Sequence, residues 1–456
     1  MDWIARYLVE GERLPVLSRV RPGEVRAAFP RLPPARAEPL HDLLGDVERL
    51  IVPGLTHWNH PSFFAYFANS ASGPGILGEM LAAAFNANAM LWKTSPAATE
   101  LELVVLDWLR QMLGLPAGFF GVIQDTASTS TLIALAAARE AVPGLEARRR
   151  GLVGQARLRM YASDQAHSSI EKAGIVLGIG QDGFRAIPSD AAFRMDPQAL
   201  AAAIAQDRAA GLTPFAVTAT TGTTSTTSID PVPEIAEICE REGLWLHVDA
   251  AYGGSAAVAP EFRFVLAGAE RADSIVLNPH KWLFVPVDLS VLYTRRPEVV
   301  KRAFSLVPDY LRTAEDDVAP NLMDYGVSLG RRFRALKLWM VIRAFGHEGL
   351  AARIREHVRL AQLFRAWLEA DPAFEILAPS PLSVVCFRAR FAGASESEID
   401  RRNEAMMNRV NATGDAYLSH TRLAGRTVLR LAVGNIRSEE RHVRRAYERL
   451  REAALA

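Results

Sequence analysis

Between about residue 73 and residue 340, short apolar runs alternate with segments of helical period, and that alternation leaves few folds open to the chain. GVIQ (121–124), LRMYAS (158–163), PFAVTAT (214–220), LWLHVDA (244–250), SIVLN (274–278) and LSVLYT (289–294) predict buried strands. STLIALAAAREAV (130–142) and PEIAEICEREG (233–243) predict helices. The second has Pro near its start and Gly at its end, where helix termini favour them. Strand and helix in turn imply an α/β domain built on a mostly parallel sheet. In such sheets ligands sit beyond the C-terminal ends of the strands, so chemistry is expected there.

The flanks read differently. Residues 1–72 are short helices interrupted by Pro22, Pro30, Pro33, Pro34, Pro39, Pro53 and Pro61, an N-terminal arm expected to wrap over another domain or another subunit. Residues 341–456 are Arg-rich: RIREHVRLAQLFRAWLEA is amphipathic, VVCFRAR and TVLRLAV predict strands, and HVRRAYERLREAALA predicts a closing helix. This is a small C-terminal α+β domain. With 456 residues, the chain exceeds what one core holds.

Charge removes several partners from consideration. The 52 basic and 51 acidic residues leave a formal net charge of +1, so neither nucleic acid nor an acidic membrane is expected to bind. The basic helix faces carry no recognition motif and read as solvated surface. No apolar stretch approaches the roughly 20 residues of a membrane helix. MDWIARYLVEGERLP is charged throughout, so no signal peptide is expected. Cys239 and Cys386 have no metal-type spacing and cannot form a disulfide framework; a cytoplasmic location without a metal site is expected.

Four segments carry chemistry. In SIVLNPHKWLFVP (274–286), Lys281 follows a buried strand and is flanked by Trp282, Leu283, Phe284 and Val285. Desolvation lowers a lysine's pKa and makes the neutral amine a nucleophile suited to Schiff-base chemistry. The alternative is a structural lysine whose stem lies along apolar surface. In LWLHVDAAYGGS (244–255), Asp249 ends a strand beside small residues that let a flat ring approach. A buried Asp needs a positive partner, and the pyridinium nitrogen of pyridoxal 5'-phosphate (PLP) is one. Its alternative is a helix N-cap. In GVIQDTASTSTLIALAAARE (121–140), Ala127 and Ser128 open a helix where backbone N–H groups could hold a phosphate, or simply a capped terminus. In YASDQAHSSIEKAG (161–174), His167 follows a strand and could stack on a ring, although lone histidines are usually structural.

Taken with Ser163-Asp164-Gln165-Ala166-His167-Ser168-Ser169, Ala219-Thr220-Thr221-Gly222-Thr223-Thr224, Asp249-Ala250-Ala251 and Asn278-Pro279-His280-Lys281, the chain resembles the group II PLP-dependent amino-acid decarboxylases, and within them the aromatic L-amino acid decarboxylases. The resemblance runs from about His57 to the C-terminus and includes HPSFFAYF (60–67), SPAATELE (95–102), LGRRFRALKLW (329–339) and VLRLAV (428–433). It implies the fold-type I architecture of PLP-dependent transferases, with a mostly parallel sheet of the seven-stranded type. It also implies a homodimer with active sites at the subunit interface. Carried over by position, Lys281 holds the cofactor and Asp249 pairs with its pyridinium. His167 stacks on the ring. Ala127, Ser128, Asn278 and His280 approach the phosphate, and Thr220 and Ala251 lie near the ring. Tyr66 and Phe67 line the substrate side. LVPDYLRTAEDDVAPN (306–321) resembles the family's catalytic loop, which gives Tyr310 the role of reprotonating Cα; the alternative is a plain surface loop.

Departures from the family pattern concern the substrate. Many relatives read Phe-Pro-Thr where this chain has Phe67-Ala68-Asn69. Asn88 and Met90 replace bulkier apolar groups near the substrate ring, on a segment expected from the second subunit. Leu329 and Gly330 line the same pocket, and Gly330, the smaller residue seen at its site, points toward tryptophan or another bulky aromatic. Three other readings compete. An aldehyde synthase on this scaffold tends to replace the loop Tyr or the stacking His, and both are kept here. A decarboxylase of a non-aromatic amino acid, such as glutamate, histidine or a diamino acid, is another; an acidic substrate would need a pocket cation that the sequence does not place. A catalytically dead binding protein would not be expected to retain Lys281, Asp249 and Tyr310.

Overall fold

A computed structural model describes residues 2–306, 311, 313–315 and 318–455. Tyr310 lies outside the described residues. The chain forms two compact units, one comprising Asn69–Arg359 with Ala378–Val384, the other Met1–Ala68 with Leu360–Leu377 and Val385–Ala456.

The larger unit is built on seven strands: β1 (Phe120–Gln124), β2 (Leu158–Ser163), β3 (Phe184–Ile187), β4 (Thr213–Thr220), β5 (Trp245–Asp249), β6 (Ser274–Leu277) and β7 (Ser290–Thr294). Their order is β1-β7-β6-β5-β4-β2-β3. From β3 to β6 every pairing is parallel, and β7 runs antiparallel to both β6 and β1. Every residue of β5, β6 and β7 is buried. A sheet covered on both faces shows such continuous runs, and they are why these strands stand out in sequence. The short β3 does not: FRAI is half-buried, carries Arg185 and lies at the sheet edge.

The helices Ala127–Glu140 and Val232–Glu242 take up most of the two periodic segments, stopping two residues and one residue short of their ends, and the second is closed by Gly243 in the left-handed conformation (φ 66°). Residue 340 falls within the helical stretch Ala335–Ala370, which breaks at Gly346 (φ 66°, ψ 171°).

The smaller unit holds β8 (Phe374–Ile376), β9 (Val384–Ala389), β10 (Ser419–Leu423) and β11 (Arg426–Ala432), ordered β10-β11-β9-β8. Its core includes Phe364, Phe387, Met406, Leu429 and Val443. The N-terminal arm belongs to this unit. Val16 N donates to Gly414 O at 3.0 Å, Phe64 N to Tyr417 O at 2.9 Å and Ala432 N to Phe64 O at 2.9 Å. Its short helices satisfy their own backbone groups, and the extended stretches between them pair with the C-terminal segment. No helix among the described residues is long and apolar enough to cross a membrane.

Candidate active site

Three parallel strands end side by side at the site. Asp249, the last residue of β5, is buried. Its Oδ1 accepts from Ala251 N at 3.1 Å and its carbonyl from Thr221 N at 2.9 Å. Ala250 N donates to Val276 O at 3.0 Å and Asn278 N to Ala251 O at 3.1 Å, which joins the ends of β5 and β6. Two glycines allow the loop after β4 to press on the turn after β5. A Cβ on Gly253 would stand 2.4 Å from Thr221 O, and one on Gly222 (φ +94°) 2.9 Å from Gly253 N.

Beyond β6, Lys281 N donates to Asn278 O at 2.9 Å and starts the short helix Pro279–Trp282. Trp282, Leu283, Phe284 and Val285 are fully buried behind it. The Trp282 ring lies flat on Tyr252 (centroids 4.6 Å apart, 5° between planes), and its Nε1 donates to His357 Nδ1 at 2.9 Å. Lys281 is only partly buried by surface area, yet the protein encloses its amine closely enough for desolvation to lower the pKa against the pull of Asp249.

His167 is exposed as a residue, but the burial it has lowers its pKa; Lys281 and Lys172 act the same way and Asp249 opposes. The Asp249 carboxylate thus acts on both Lys281 and His167, which places the three in one neighbourhood. Ser169 N donates to His167 Nδ1 at 3.2 Å and Ser169 Oγ lies 2.8 Å from it, so the neutral ring carries its proton on Nε2. His280 is buried, which brings its pKa down to about 4, and its Nδ1 accepts from Leu289 N at 2.9 Å.

The residues present fit PLP. Thr220 Oγ1 and Asn278 Oδ1, at the ends of β4 and β6 on either side of Asp249, are buried without a hydrogen-bond partner among the described residues. Buried polar atoms rarely remain unpaired, so these two call for a polar ligand. Thr126, the residue capping the helix Ala127–Glu140, makes no side-chain cap hydrogen bond, so no cap side chain occupies the amides at Ala127 and Ser128. Asp249 for a pyridinium N–H, Lys281 for an aldehyde and a helix N-terminus for a phosphate form a matching set. Ala251 is buried next to Asp249.

Of the residues expected to line the substrate pocket, Asn88, Met90 and Gly330 come together. Asn88 Oδ1 accepts from Arg331 N at 2.9 Å, Asn88 Nδ2 lies 3.5 Å from Met90 Sδ, and a Cβ on Gly330 would be 3.9 Å from Asn88 Nδ2. Leu329 is exposed beside them and Asn69 is half-buried. Tyr66 and Phe67 belong to the smaller unit. There Tyr66 (φ 51°) places its hydroxyl 3.1 Å from Tyr417 Oη, and Phe67 lies under the Arg430 guanidinium at 5.4 Å.

Sequence reasoning missed Arg331 and Glu102, which anchor the Asn88–Met90 segment from within the core. Their motifs carry the family resemblance, but neither residue was given a role. One signal was available: Glu102 sits among Ala98, Val105, Leu106 and Leu109 on the apolar face of the helix Pro96–Leu113.

Fold and site together define a PLP-dependent enzyme. Residues 22–390 match the pyridoxal-dependent decarboxylase conserved domain, and the chain belongs to that family, making it a PLP-dependent carboxy-lyase. Aromatic-L-amino-acid decarboxylase of Sus scrofa is 44% identical over 465 residues, covering 99% of this chain and 94% of that protein. Phenylacetaldehyde synthase of Arabidopsis thaliana is 40% identical over 464 residues, covering 100% and 94%. The crystal structure of Oryza sativa TDC with PLP and tryptamine superposes with a TM-score of 0.97 at 40% identity, covering 100% of this chain and 96% of that one.

Proposed function

We propose that the protein decarboxylates an aromatic L-amino acid, of the tryptophan, phenylalanine, tyrosine or dopa type, to its amine and CO2. The observation that carries this reading is the electrostatic neighbourhood of Lys281, Asp249 and His167 in a chain 44% identical to an aromatic-L-amino-acid decarboxylase.

When bound, PLP supplies a protonated ring that takes up the electron pair left by the departing carboxylate. The protein's residues set orientation and protonation. Lys281, whose enclosed amine loses its proton more readily than a solvated lysine, would hold the cofactor aldehyde. Asp249 keeps the ring nitrogen protonated. His167 presents a neutral imidazole to the ring face. Ala127 and Ser128 receive the phosphate, with Asn278 and His280 beside it, and Thr220 and Ala251 border the ring. Tyr310 would supply the proton that Cα takes up, and the segment 306–321 would keep water away from that carbon.

Gly330, the smaller residue seen at its site in this family, lies beside Asn88 and supports a preference for tryptophan or another bulky aromatic. Asn69, Met90 and Leu329 are the further candidates for the substrate side within the larger unit, in a homodimer whose active sites lie at the subunit interface, in the cytoplasm. An aldehyde-forming reaction is the second reading, raised by the phenylacetaldehyde synthase among the relatives. Retention of Tyr310 and His167 favours the amine.

Purified enzyme with PLP, given tryptophan, phenylalanine, tyrosine, dopa, histidine and glutamate separately, tests this by mass spectrometry of amine and aldehyde. Amine from an aromatic substrate is expected. Aldehyde as the main product, or amine from histidine or glutamate alone, would overturn the reaction or the substrate class.

A further inference from the structure

His247 has no part in the chemistry above, yet it stands where three elements of the cofactor cradle meet. It precedes Asp249 by two residues on β5, so both side chains leave the same face of the strand. It is completely buried, as are Ser274 and Thr131. Trp245 Nε1 donates to Ser274 Oγ at 2.9 Å, and the same hydroxyl lies 2.9 Å from His247 Nδ1. Indole nitrogen can only donate, so the serine proton is left to donate to Nδ1. The imidazole proton then sits on Nε2, which faces Thr131 Oγ1 in a long contact of 3.4 Å.

Each contact belongs to a different part of the site. Ser274 begins β6, the strand that leads to Asn278 and Lys281, and it is the register partner of His247 across the sheet. Thr131 lies one turn into the helix Ala127–Glu140, which starts at the phosphate-binding residues. His247 itself rides on the strand that ends at Asp249. Burial takes its pKa down to about 4, so the ring stays neutral and does not compete for the charge of Asp249.

We infer that His247 is a positioning residue: through Ser274 and Thr131 its imidazole sets the spacing between Asp249, Lys281 and the helix that receives the cofactor phosphate. The inference rests on the assignment of Asp249 and Lys281 to the cofactor.

The test compares PLP dissociation constants, from titration of apoenzyme, with the visible cofactor spectrum and with kcat and KM. The set is wild type, His247→Phe, His247→Asn, Ser274→Ala and Asp249→Ala. His247→Phe keeps a flat ring and loses both hydrogen bonds; it should weaken PLP binding about tenfold, the worth of one buried hydrogen bond. It should also lower kcat, leave KM within about twofold and shift the cofactor band. His247→Asn, which can restore the bond to Ser274, should recover part of the affinity. A folded His247→Phe protein with wild-type PLP affinity and spectrum would overturn the inference. Should that variant not fold, Ser274→Ala decides: weaker PLP binding supports the tie and unchanged binding overturns it. Asp249→Ala separates the two levels. If it weakens PLP binding while His247→Phe does not, only the role of His247 fails. If neither changes, the assignment of the cofactor site fails.

Discussion

Arg331 Nη2 meets Glu102 Oε1 at 2.7 Å with both side chains almost wholly enclosed. Glu102 Oε1 also accepts from Ile123 N at 2.8 Å, while Arg331 donates to Ile123 O at 2.8 Å and Ala89 O at 3.3 Å. One ion pair therefore joins β1, the helix Pro96–Leu113 and the segment carrying Asn88 and Met90. Removing one member of a buried pair leaves the other charged and unpaired, which costs about 3–5 kcal/mol. Arg331→Met should lose stability of that order in chemical denaturation and raise KM for the aromatic substrate. A loss below about 1 kcal/mol, the value of an exposed pair, would contradict the burial described.

Asp249→Asn keeps the size of the side chain and removes its charge. Turnover should fall about a hundredfold or more, the scale of losing one electrostatic contact to a transition state, with PLP released more readily on dialysis. Normal rate with full cofactor occupancy would separate Asp249 from the pyridinium.

Acid should destabilise the fold before most carboxylates titrate. Burial brings His60, His247 and His280 down to about 4. An unfolded histidine titrates near 6.5, so between about pH 6.5 and 4 the unfolded chain binds more protons. Stability from these groups is full above that window and is lost as pH falls through it. Asp230, buried and pushed up to about 6, acts in the opposite direction and offsets about one proton. The three histidines outweigh the one carboxyl, so the net effect is a loss of stability, on the order of a few kcal/mol, as pH falls toward 5. Urea midpoints from pH 7 to pH 5 should decline; a flat or rising series would contradict the neutral buried histidines.

Tyr310→Phe removes the proton proposed to reach Cα. Amine formation should fall about a hundredfold, in the range for a lost general acid, and aldehyde should become detectable. Unchanged amine output would take Tyr310 out of the mechanism.

Much of this was legible in the sequence because both relevant signals are local. Strands covered on both faces give uninterrupted apolar runs, and Asp249 and Lys281 stand out as polar residues where such runs stop. The edge strand Phe184–Ile187 gave no such run, being half in solvent. Arg331 and His247 owe their burial to partners distant in sequence, so composition and periodicity assign them no role; Glu102 shows in the sequence only as a charge on the apolar face of its helix, with nothing local to name its partner. The attachment of the N-terminal arm, as in Val16 to Gly414, links the two ends of the chain and leaves no local trace.

The most direct measurement is borohydride reduction of the holoenzyme followed by peptide mapping. The chain's lysines are Lys93, Lys172, Lys281, Lys301 and Lys337. Lys337 is the instructive competitor: it is buried, its Nζ lies 2.7 Å from Glu79 Oε2, and desolvation lowers its pKa to about 8. The structure predicts about one reduced pyridoxyl group per chain, fixed to the Lys281 nitrogen. Label on Lys337, or on no lysine, would contradict the central assignment.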